Sequence, residues 1–283
     1  MKVKIFSFGL IATFYALCII LIQGTFAISQ AKAPWIEQVM PSFASEPVDS
    51  VQVPILTYHY IRTVTNPKDV LGARLSVTPT VFEEQLKILR DEGYQSITLD
   101  DLSASWEGKY TMPKKPVILT FDDGYDDFYT NAYPLLQKYQ VKATAYIVPN
   151  FLNKAHYMTS AQIIELSKSP LVTIGAHTMN HVDLRTTNKR TSMQEILGSK
   201  MVLERLTGKT VHHFAYPFGK YTKNIVKAVK NAGFTTATTM ERGNDHKTIH
   251  NFTVTREEII GGAVQQNSPL GDSLEKFKKS ILL

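Results

Sequence analysis

The chain has 283 residues, of which 43% are hydrophobic and 20% are charged. This composition is typical of one sizeable globular domain with a short appendage, and it excludes a largely disordered chain. The net charge of +6 favours an anionic envelope or membrane surface, whereas the scattered lysines and arginines argue against nucleic acid as a partner. Cys18 is the only cysteine, which excludes an internal disulfide and a zinc site built from several cysteines.

The first residues have the pattern of a targeting segment. Lys2 and Lys4 precede an uncharged apolar run over residues 5–22, as in a signal peptide or a membrane anchor. Small residues up to Ala27 suit cleavage after that position, but the apolar run is also long enough to span a bilayer. Both alternatives stay open for residues 1–27, and both predict that the rest of the chain lies outside the cytoplasm.

Behind this segment the sequence predicts a linker and one domain. Residues 28–50 contain several prolines and serines and few periodic apolar positions, which is typical of a tether. Over residues 51–283, short apolar runs alternate with amphipathic stretches, which predicts an α/β domain with a mainly parallel sheet. The predicted strands cover residues 53–58, 117–121, 143–148, 171–176, 213–216, 234–238 and 252–255. The predicted helices run between residues 78 and 93, 128 and 139, 160 and 166, 193 and 208, and 221 and 232.

Residues with catalytic side chains or turn-forming geometry follow the ends of several predicted strands. Because the carboxyl ends of parallel strands meet at one edge of a sheet, we expect these residues to share one rim. They are His59, Asp122, Asp123, His177, Pro217 and Phe218.

Two adjacent carboxylates, Asp122 and Asp123, lie in a Thr-Phe-Asp-Asp-Gly motif at residues 120–124. Adjacent carboxylates repel each other unless a cation or a proton separates their roles, so one can bind a metal while the other acts as a base. Taken alone, the motif also fits an ordinary Asp-Asp-Gly turn.

Two histidines, His177 and His181, are four residues apart. On one side of a helical turn, imidazoles at this spacing can reach the same ion, although two unrelated turn histidines are the alternative. Together with Asp123 they give two imidazoles and one carboxylate, a set that leaves open positions for water and substrate at a catalytic divalent metal.

An aromatic segment, Tyr216, Pro217, Phe218 and Gly219, follows the predicted strand over residues 213–216. It could form a wall on which a sugar ring stacks, or it could be an ordinary exit from a strand.

In this order and spacing, the motifs resemble carbohydrate esterase family 4, the polysaccharide deacetylases with a NodB-homology domain. The resemblance covers about residues 53–260 and implies a distorted (β/α) barrel that hydrolyses N-acetyl amides. It implies that Asp122 is the general base and that the backbone N–H near Phe218 stabilises the oxyanion. It also implies one divalent metal ion, best suited to Zn²⁺ with Co²⁺, Ni²⁺ and Fe²⁺ as alternatives. The implied metal ligands are Asp123, His177 and His181.

The sequence departs from the family pattern at three places. Ala215 occupies the position of an arginine that contacts the base, and an Asp-x-x-Asp-Trp segment and a late Leu-x-His motif are missing. However, the Pro-Ile-Leu-Thr-Tyr-His run at residues 54–59 resembles the branch that includes the poly-β-1,6-N-acetylglucosamine deacetylases, where an early Tyr-His is implied in the site. We therefore predict that His59 is the catalytic acid, with a structural histidine as the alternative.

The sequence thus predicts an extracytoplasmic, metal-dependent N-deacetylase of an amino-sugar polymer: poly-N-acetylglucosamine, peptidoglycan or a chitin-like chain. An O-acetylated polymer is a further alternative. The missing arginine and late histidine also leave open a non-catalytic carbohydrate-binding protein on the same fold. The expected partners are the polysaccharide and, if residues 1–27 are retained, the membrane; no protein partner is evident.

Overall fold

The position of the site is set by a curled parallel sheet. We describe it from a computed structural model in which residues 49–260 and 270–282 are placed. The predicted signal or anchor over residues 1–27 and nearly all of the predicted linker lie outside these described residues. Within the two described ranges, no helix combines the length and apolar character needed to cross a bilayer.

The described residues contain short strands, most of them central to the core. In chain order they are β1 (Ser50–Gln52), β2 (Ile55–Tyr58), β3 (Tyr60–Ile61), β4 (Ser76–Val77), β5 (Gln95–Ser96), β6 (Pro116–Phe121), β7 (Ala143–Ile147), β8 (Val172–Ala176), β9 (His213–Ala215), β10 (Thr236–Thr238), β11 (Asp245–Lys247) and β12 (Glu257–Glu258).

The helices alternate with these strands. They are α1 (Val70–Leu75), α2 (Pro79–Asp91), α3 (Leu99–Trp106), α4 (Tyr133–Tyr139), α5 (Ser160–Lys168), α6 (Lys189–Thr207), α7 (Lys223–Asn231) and α8 (Leu270–Leu282). A π-helical turn over Phe128–Ala132 leads into α4, and short 3-10 turns include Pro217–Gly219.

Seven strands form the main sheet in the order β10, β9, β8, β7, β6, β2 and β12, with β5 added beside the start of β6. All of these pairings are parallel. Every residue of β2, β6 and β7 is buried, as expected for strands covered on both faces. The prediction of an α/β domain with a mainly parallel sheet is confirmed.

The two edges of the sheet are joined by one short segment. Val254 donates its N–H to Ala237 in β10 at 2.9 Å, and its carbonyl accepts the N–H of Thr239 at 2.8 Å. Three residues later the chain enters β12, where Glu257 pairs with Leu56 of β2. The sheet therefore curls back towards itself, which agrees with the predicted distorted barrel.

Most predicted elements appear within a few residues of their expected bounds, and local chemistry explains why. The Thr78 hydroxyl accepts the N–H of Val81 and Pro79 occupies the first turn, so α2 begins where predicted. Gly208, with φ of +68°, ends α6. The predicted strand over residues 252–255 is wrong, because it is reduced to a single bridge at Val254 before β12.

Candidate active site

The predicted catalytic side chains follow the carboxyl ends of three parallel strands of the main sheet: β2, β6 and β8. The register of β2 on β6 pairs Tyr58 with Phe121, which brings His59 and Asp122 to the same level. His177 follows the end of β8, two strands further along the sheet. The sheet therefore brings the predicted residues to one rim, as the alternation of strands and helices implied.

The three predicted metal ligands, Asp123, His177 and His181, form a tight cluster. Asp123 Oδ1 lies 3.4 Å from His177 Nε2 and 3.2 Å from His181 Nε2. This oxygen is buried and has no hydrogen-bond partner in the part of the chain that the structure describes. A buried carboxylate oxygen placed between two imidazole nitrogens without a hydrogen bond fits a metal ligand.

The orientation of His177 also suits metal binding. Its Nδ1 lies 2.8 Å from the carbonyl oxygen of Ala215. A carbonyl only accepts, so Nδ1 carries the proton and donates it. In the neutral ring, Nε2 therefore presents its lone pair to the cluster. Ala215, which stands where the family has an arginine, thus serves the site through its backbone.

The segment that carries His177 and His181 is a turn and not the helical turn that their spacing predicted. Thr178 and His181 have left-handed backbone conformations, with φ of +62° and +54°. The turn is held by Glu195 of α6, whose carboxylate accepts the backbone and side-chain N–H groups of Asn180 at 2.9 and 2.7 Å. Left-handed conformations in non-glycine residues are costly, and they are concentrated at functional sites. Asp123 and Phe218, with φ of +74° and +59°, add to this concentration.

The electrostatics of the cluster attract positive charge. Burial raises the pKa of Asp123, but the adjacent imidazoles, above all His177, outweigh it, so the pKa is lowered. Burial and the neighbouring His177 charge lower the pKa of His181 to about 4, so its ring is neutral near pH 7. For His177 burial lowers the pKa, but Asp123 and Asp122 together raise it. A cation between these groups would meet one carboxylate and two available nitrogens.

Asp122 is paired with an arginine that the sequence motifs did not indicate. The two carboxylate oxygens accept from Arg256 Nη1 and Nη2 at 2.7 and 2.8 Å, and both side chains are buried. Arg256 is fixed by the Thr239 carbonyl at 2.8 Å and the Thr120 hydroxyl at 3.2 Å. Burial raises the pKa of Asp122, but the Arg256 charge more than offsets it, so the pKa is lowered and the group stays ionised.

Sequence reasoning missed Arg256 because it belongs to no motif and lies 134 residues from Asp122. It stands at the entry to β12, and only the pairing of β12 with β2 brings it inside the curled sheet. A single arginine ahead of two glutamates gave no signal that could have identified it.

His59 lies at the same rim. It is half-buried, and its Nδ1 is shielded from solvent without a hydrogen-bond partner in the described ranges. It is near enough to act through its charge on Asp122, Asp123 and His181. The structure therefore places His59 where a catalytic acid could act, and that role stays a prediction.

The prediction that Tyr216 belongs to an aromatic wall for the substrate is wrong. Its side chain is fully buried, and its hydroxyl donates to the Phe252 carbonyl at 3.0 Å, so it cannot stack on a substrate. Phe218 is 55% exposed, and its ring lies edge-on to His181 with centroids 4.6 Å apart. Pro217 is buried, and Gly219 has φ of +67° at a place where a Cβ would lie 2.4 Å from the Met240 nitrogen. Of the four predicted residues, Phe218 alone presents a broad side chain to solvent.

A second aromatic surface was not predicted. Tyr60 and Tyr125 stack with ring centroids 3.9 Å apart, and Tyr125 stacks on Tyr157 at 5.0 Å. All three rings are half-buried. Burial is the main cause that raises the pKa of each hydroxyl, and the negative charge of Asp123 raises it further. We call these three residues the tyrosine row. The sequence contains one indication of this surface: Tyr60 directly follows His59, and Tyr125 directly follows Gly124.

Comparisons with known proteins agree with this geometry. A family model described as polysaccharide deacetylase matches residues 109–237. Over 227 residues the chain is 29% identical to YxkH of Bacillus subtilis, which covers 80% of this chain and 77% of that protein. It is 27% identical over 171 residues to a poly-β-1,6-N-acetyl-D-glucosamine N-deacetylase of Staphylococcus aureus, covering 56% of this chain and 59% of that protein.

Among solved structures, the Streptococcus pyogenes deacetylase PplD in complex with acetate matches with a TM-score of 0.71 and 28% identity. The match covers 80% of this chain and 98% of that chain. The predicted resemblance to the NodB-type deacetylases, the predicted fold and the predicted class of enzyme are confirmed. Residues 109–237 therefore match the polysaccharide deacetylase model, and about four fifths of the chain resembles deacetylases in sequence and in fold.

Proposed function

We propose that this domain removes N-acetyl groups from an extracellular amino-sugar polymer by metal-dependent hydrolysis, with β-1,6-linked N-acetylglucosamine as the preferred repeat. The observation that carries the reaction is the cluster of Asp123, His177 and His181 beside the Asp122–Arg256 pair. The likeness to the staphylococcal N-deacetylase supports the choice of polymer.

The metal part of the proposal rests on the donor set. One carboxylate and two imidazoles leave open positions for reactants, and the ordinary choice of ion is Zn²⁺, with Co²⁺, Ni²⁺ or Fe²⁺ as alternatives. A divalent ion held by Asp123, His177 and His181 would supply Lewis-acid polarisation of the acetyl carbonyl.

Asp122 is the proposed general base. Its lowered pKa keeps it ionised at neutral pH, so it can accept a proton from the attacking water. Arg256 holds both carboxylate oxygens, which fixes the plane of the carboxylate. The backbone N–H near Phe218 is the proposed donor to the developing oxyanion.

The leaving group is a sugar amine, and it departs only once its nitrogen is protonated. His59 is the proposed donor, since a protonated imidazole carries an N–H that it can give up and this ring lies at the rim at the level of Asp122. The alternative is a structural histidine.

Sugar rings would be held by aromatic side chains beside the metal cluster. Phe218 contacts His181 of the metal cluster. The tyrosine row lies close enough to Asp123 for the carboxylate charge to raise the pKa of Tyr60, Tyr125 and Tyr157. Phe218 offers a sugar its exposed ring. The rings of the tyrosine row already stack on one another, and Arg62 covers Tyr60, so this row offers ring edges and polar tips.

The location belongs to the same proposal. An extracytoplasmic enzyme, secreted or anchored through residues 1–27, would meet a polymer of the cell surface. Fractionation that found the intact chain soluble in the cytoplasm would contradict this placement.

The first test measures acetate release from four acetylated substrates: β-1,6-linked N-acetylglucosamine oligomers, peptidoglycan, chitin oligomers and an O-acetylated polymer. We expect the β-1,6-linked oligomer to be turned over fastest, and we expect the reaction to stop on chelation and to resume with Zn²⁺ or Co²⁺. Binding without release from any of the four would instead favour a non-catalytic carbohydrate-binding protein. The non-catalytic alternative was suggested by the missing arginine of the third motif. Arg256 argues against it, because this residue supplies a guanidinium to Asp122 from another part of the chain.

A second test separates the proposed acid from the metal ligands. His59→Ala should lower turnover by about a hundredfold or more, which is typical of a lost general acid. Metal content should stay unchanged, because His59 lies outside the ligand cluster. His250→Ala, an exposed histidine outside that cluster, is the matched control and should behave like the parent. Near-normal turnover in His59→Ala, or loss of its metal, would show that His59 has another role.

A further inference from the structure

A second group of metal-binding side chains lies at the opposite end of β9 from the catalytic cluster. The carbonyl of Ala215, at the carboxyl end of this strand, serves His177, whereas His213 lies at the amino end. There, donor atoms of Asp100, His212 and His213 all lie within 4.8 Å of one another. The mechanism above makes no use of these three residues.

Asp100 is in close contact with both histidines, and its contact with His212 is a hydrogen bond in the absence of an ion. Asp100 Oδ1 lies 2.9 Å from His212 Nδ1 and 3.2 Å from His213 Nε2. Ligand atoms about 2.0–2.2 Å from a tetrahedral zinc ion lie roughly 3.3–3.5 Å from one another. An ion could therefore enter if the Asp100 carboxylate moved a few tenths of an ångström away from the two imidazoles and gave up its hydrogen bond with His212.

The buried member of the group supplies an independent observation. His213 is fully buried, and its Nε2 has no hydrogen-bond partner among the residues that the structure describes, although Asp100 Oδ1 is only 3.2 Å away. The pair is close but is not aligned for sharing a proton. Two ligands of one ion have this arrangement, because each directs its lone pair at the ion and not at the other ligand. The other ring nitrogen, Nδ1, is held by the Thr236 hydroxyl at 2.8 Å, which fixes the ring.

We propose that Asp100, His212 and His213 bind a second divalent transition-metal ion, of the zinc class, at the amino end of the sheet. Two imidazoles and one carboxylate are borderline ligands that favour Zn²⁺ over Ca²⁺ or Mg²⁺. Asp100 and His212 are 51% and 41% exposed, so the ion has a path from solvent. Both also line a cavity of about 250 Å³ that can hold a completing water ligand.

The ion would link two segments that are distant in the sequence. Asp100 lies in the first turn of α3, whereas His213 begins β9 and His212 directly precedes it, more than a hundred residues along the chain. A ligand that binds only the folded chain stabilises it in proportion to the logarithm of its concentration over Kd. This site therefore stabilises the fold and stays separate from the reaction.

Calorimetric titration of the metal-stripped full chain with ZnCl₂ tests the proposal. We expect two equivalents for the parent chain, one for His181→Ala, one for His212→Ala, and none for the double variant. Asp100→Asn, which keeps the size of the side chain, should match His212→Ala. His250→Ala is the control for adventitious binding to a surface imidazole and should retain two. In the His181→Ala background, excess Zn²⁺ should raise Tm, and adding His212→Ala should abolish that rise.

The outcomes distinguish this site from the catalytic one. One equivalent in the parent that disappears with His181→Ala and survives His212→Ala would overturn the second site and leave the proposed function standing. One equivalent that disappears with His212→Ala and survives His181→Ala would support the second site and contradict the catalytic ligand set. Two equivalents retained in both His212→Ala and Asp100→Asn would also overturn the proposal.

Discussion

Replacing Arg256 by Met should destabilise the domain by about 3–5 kcal/mol at neutral pH, because it leaves the buried Asp122 carboxylate without its cation. Activity should fall as well, since the proposed base loses both the charge that keeps it ionised and the two hydrogen bonds that orient it. Chemical denaturation and acetate release measure the two effects separately.

The pH dependence of this variant distinguishes a positioning role from a purely structural one. In the parent chain the pKa of Asp122 is lowered, so the ion pair stabilises the fold above the unfolded pKa and loses that contribution as pH falls through the folded pKa. In Arg256→Met burial dominates and the pKa of Asp122 rises. The stability deficit should therefore be largest near pH 7 and smaller near pH 5, and the acidic limb of the pH–rate profile should move to higher pH.

Three further variants make the result decisive. Asp122→Asn combined with Arg256→Met should recover much of the lost stability without recovering activity, because the buried charge is gone and so is the base. Arg256→Lys should be intermediate, since it keeps the charge but not the bidentate contact. Arg242→Met is the matched control, because Arg242 is 75% exposed and lies 3.9 Å from its partner Glu257. An Arg256→Met chain with parental stability and an unchanged pH profile would refute the assignment.

Replacing His181 by Ala should remove one of the three proposed ligands of the catalytic ion and lower acetate release by roughly a hundredfold or more, since a metal contributes several kcal/mol at the reacting carbonyl. The fold should survive, because His181 lies on a partly exposed turn that Glu195 holds through Asn180. Metal analysis should show one equivalent fewer than in the parent chain.

The control for His181→Ala is again His250→Ala, which should keep its metal and its activity. Adding Zn²⁺ or Co²⁺ in excess should restore part of the activity if the two remaining ligands still hold the ion weakly. Full activity in a metal-stripped His181→Ala chain would contradict the assignment of this residue and of the cluster.

Local sequence determined the fold class and the position of most of the catalytic rim. Apolar runs of strand length, helix caps such as Thr78 and stop signals such as Gly208 act over a few residues, so they can be recognised without the tertiary structure. Because parallel strands place their carboxyl ends together, the sequence alone assigns Asp122 and His177 to one edge of the sheet.

Several site features depend on contacts between distant parts of the chain. Arg256 reaches Asp122 only because β12 pairs with β2 and the segment at Val254 joins the sheet's edges. Tyr216 looked like a substrate wall, but its side chain faces the core and bonds to Phe252. A motif reports which side chains occur near a strand end, but not which of them solvent can reach.

By itself, the sequence determined which strands and helices form and which carboxylates and imidazoles follow the strand ends, since these depend on periodicity and neighbouring residues. Only the tertiary structure decided which cation neutralises Asp122, how the turn at His177 and His181 is shaped, and that His213 meets Asp100. Those outcomes arise from pairings across more than a hundred residues or from packing around a left-handed backbone, and no local pattern in the chain encodes them.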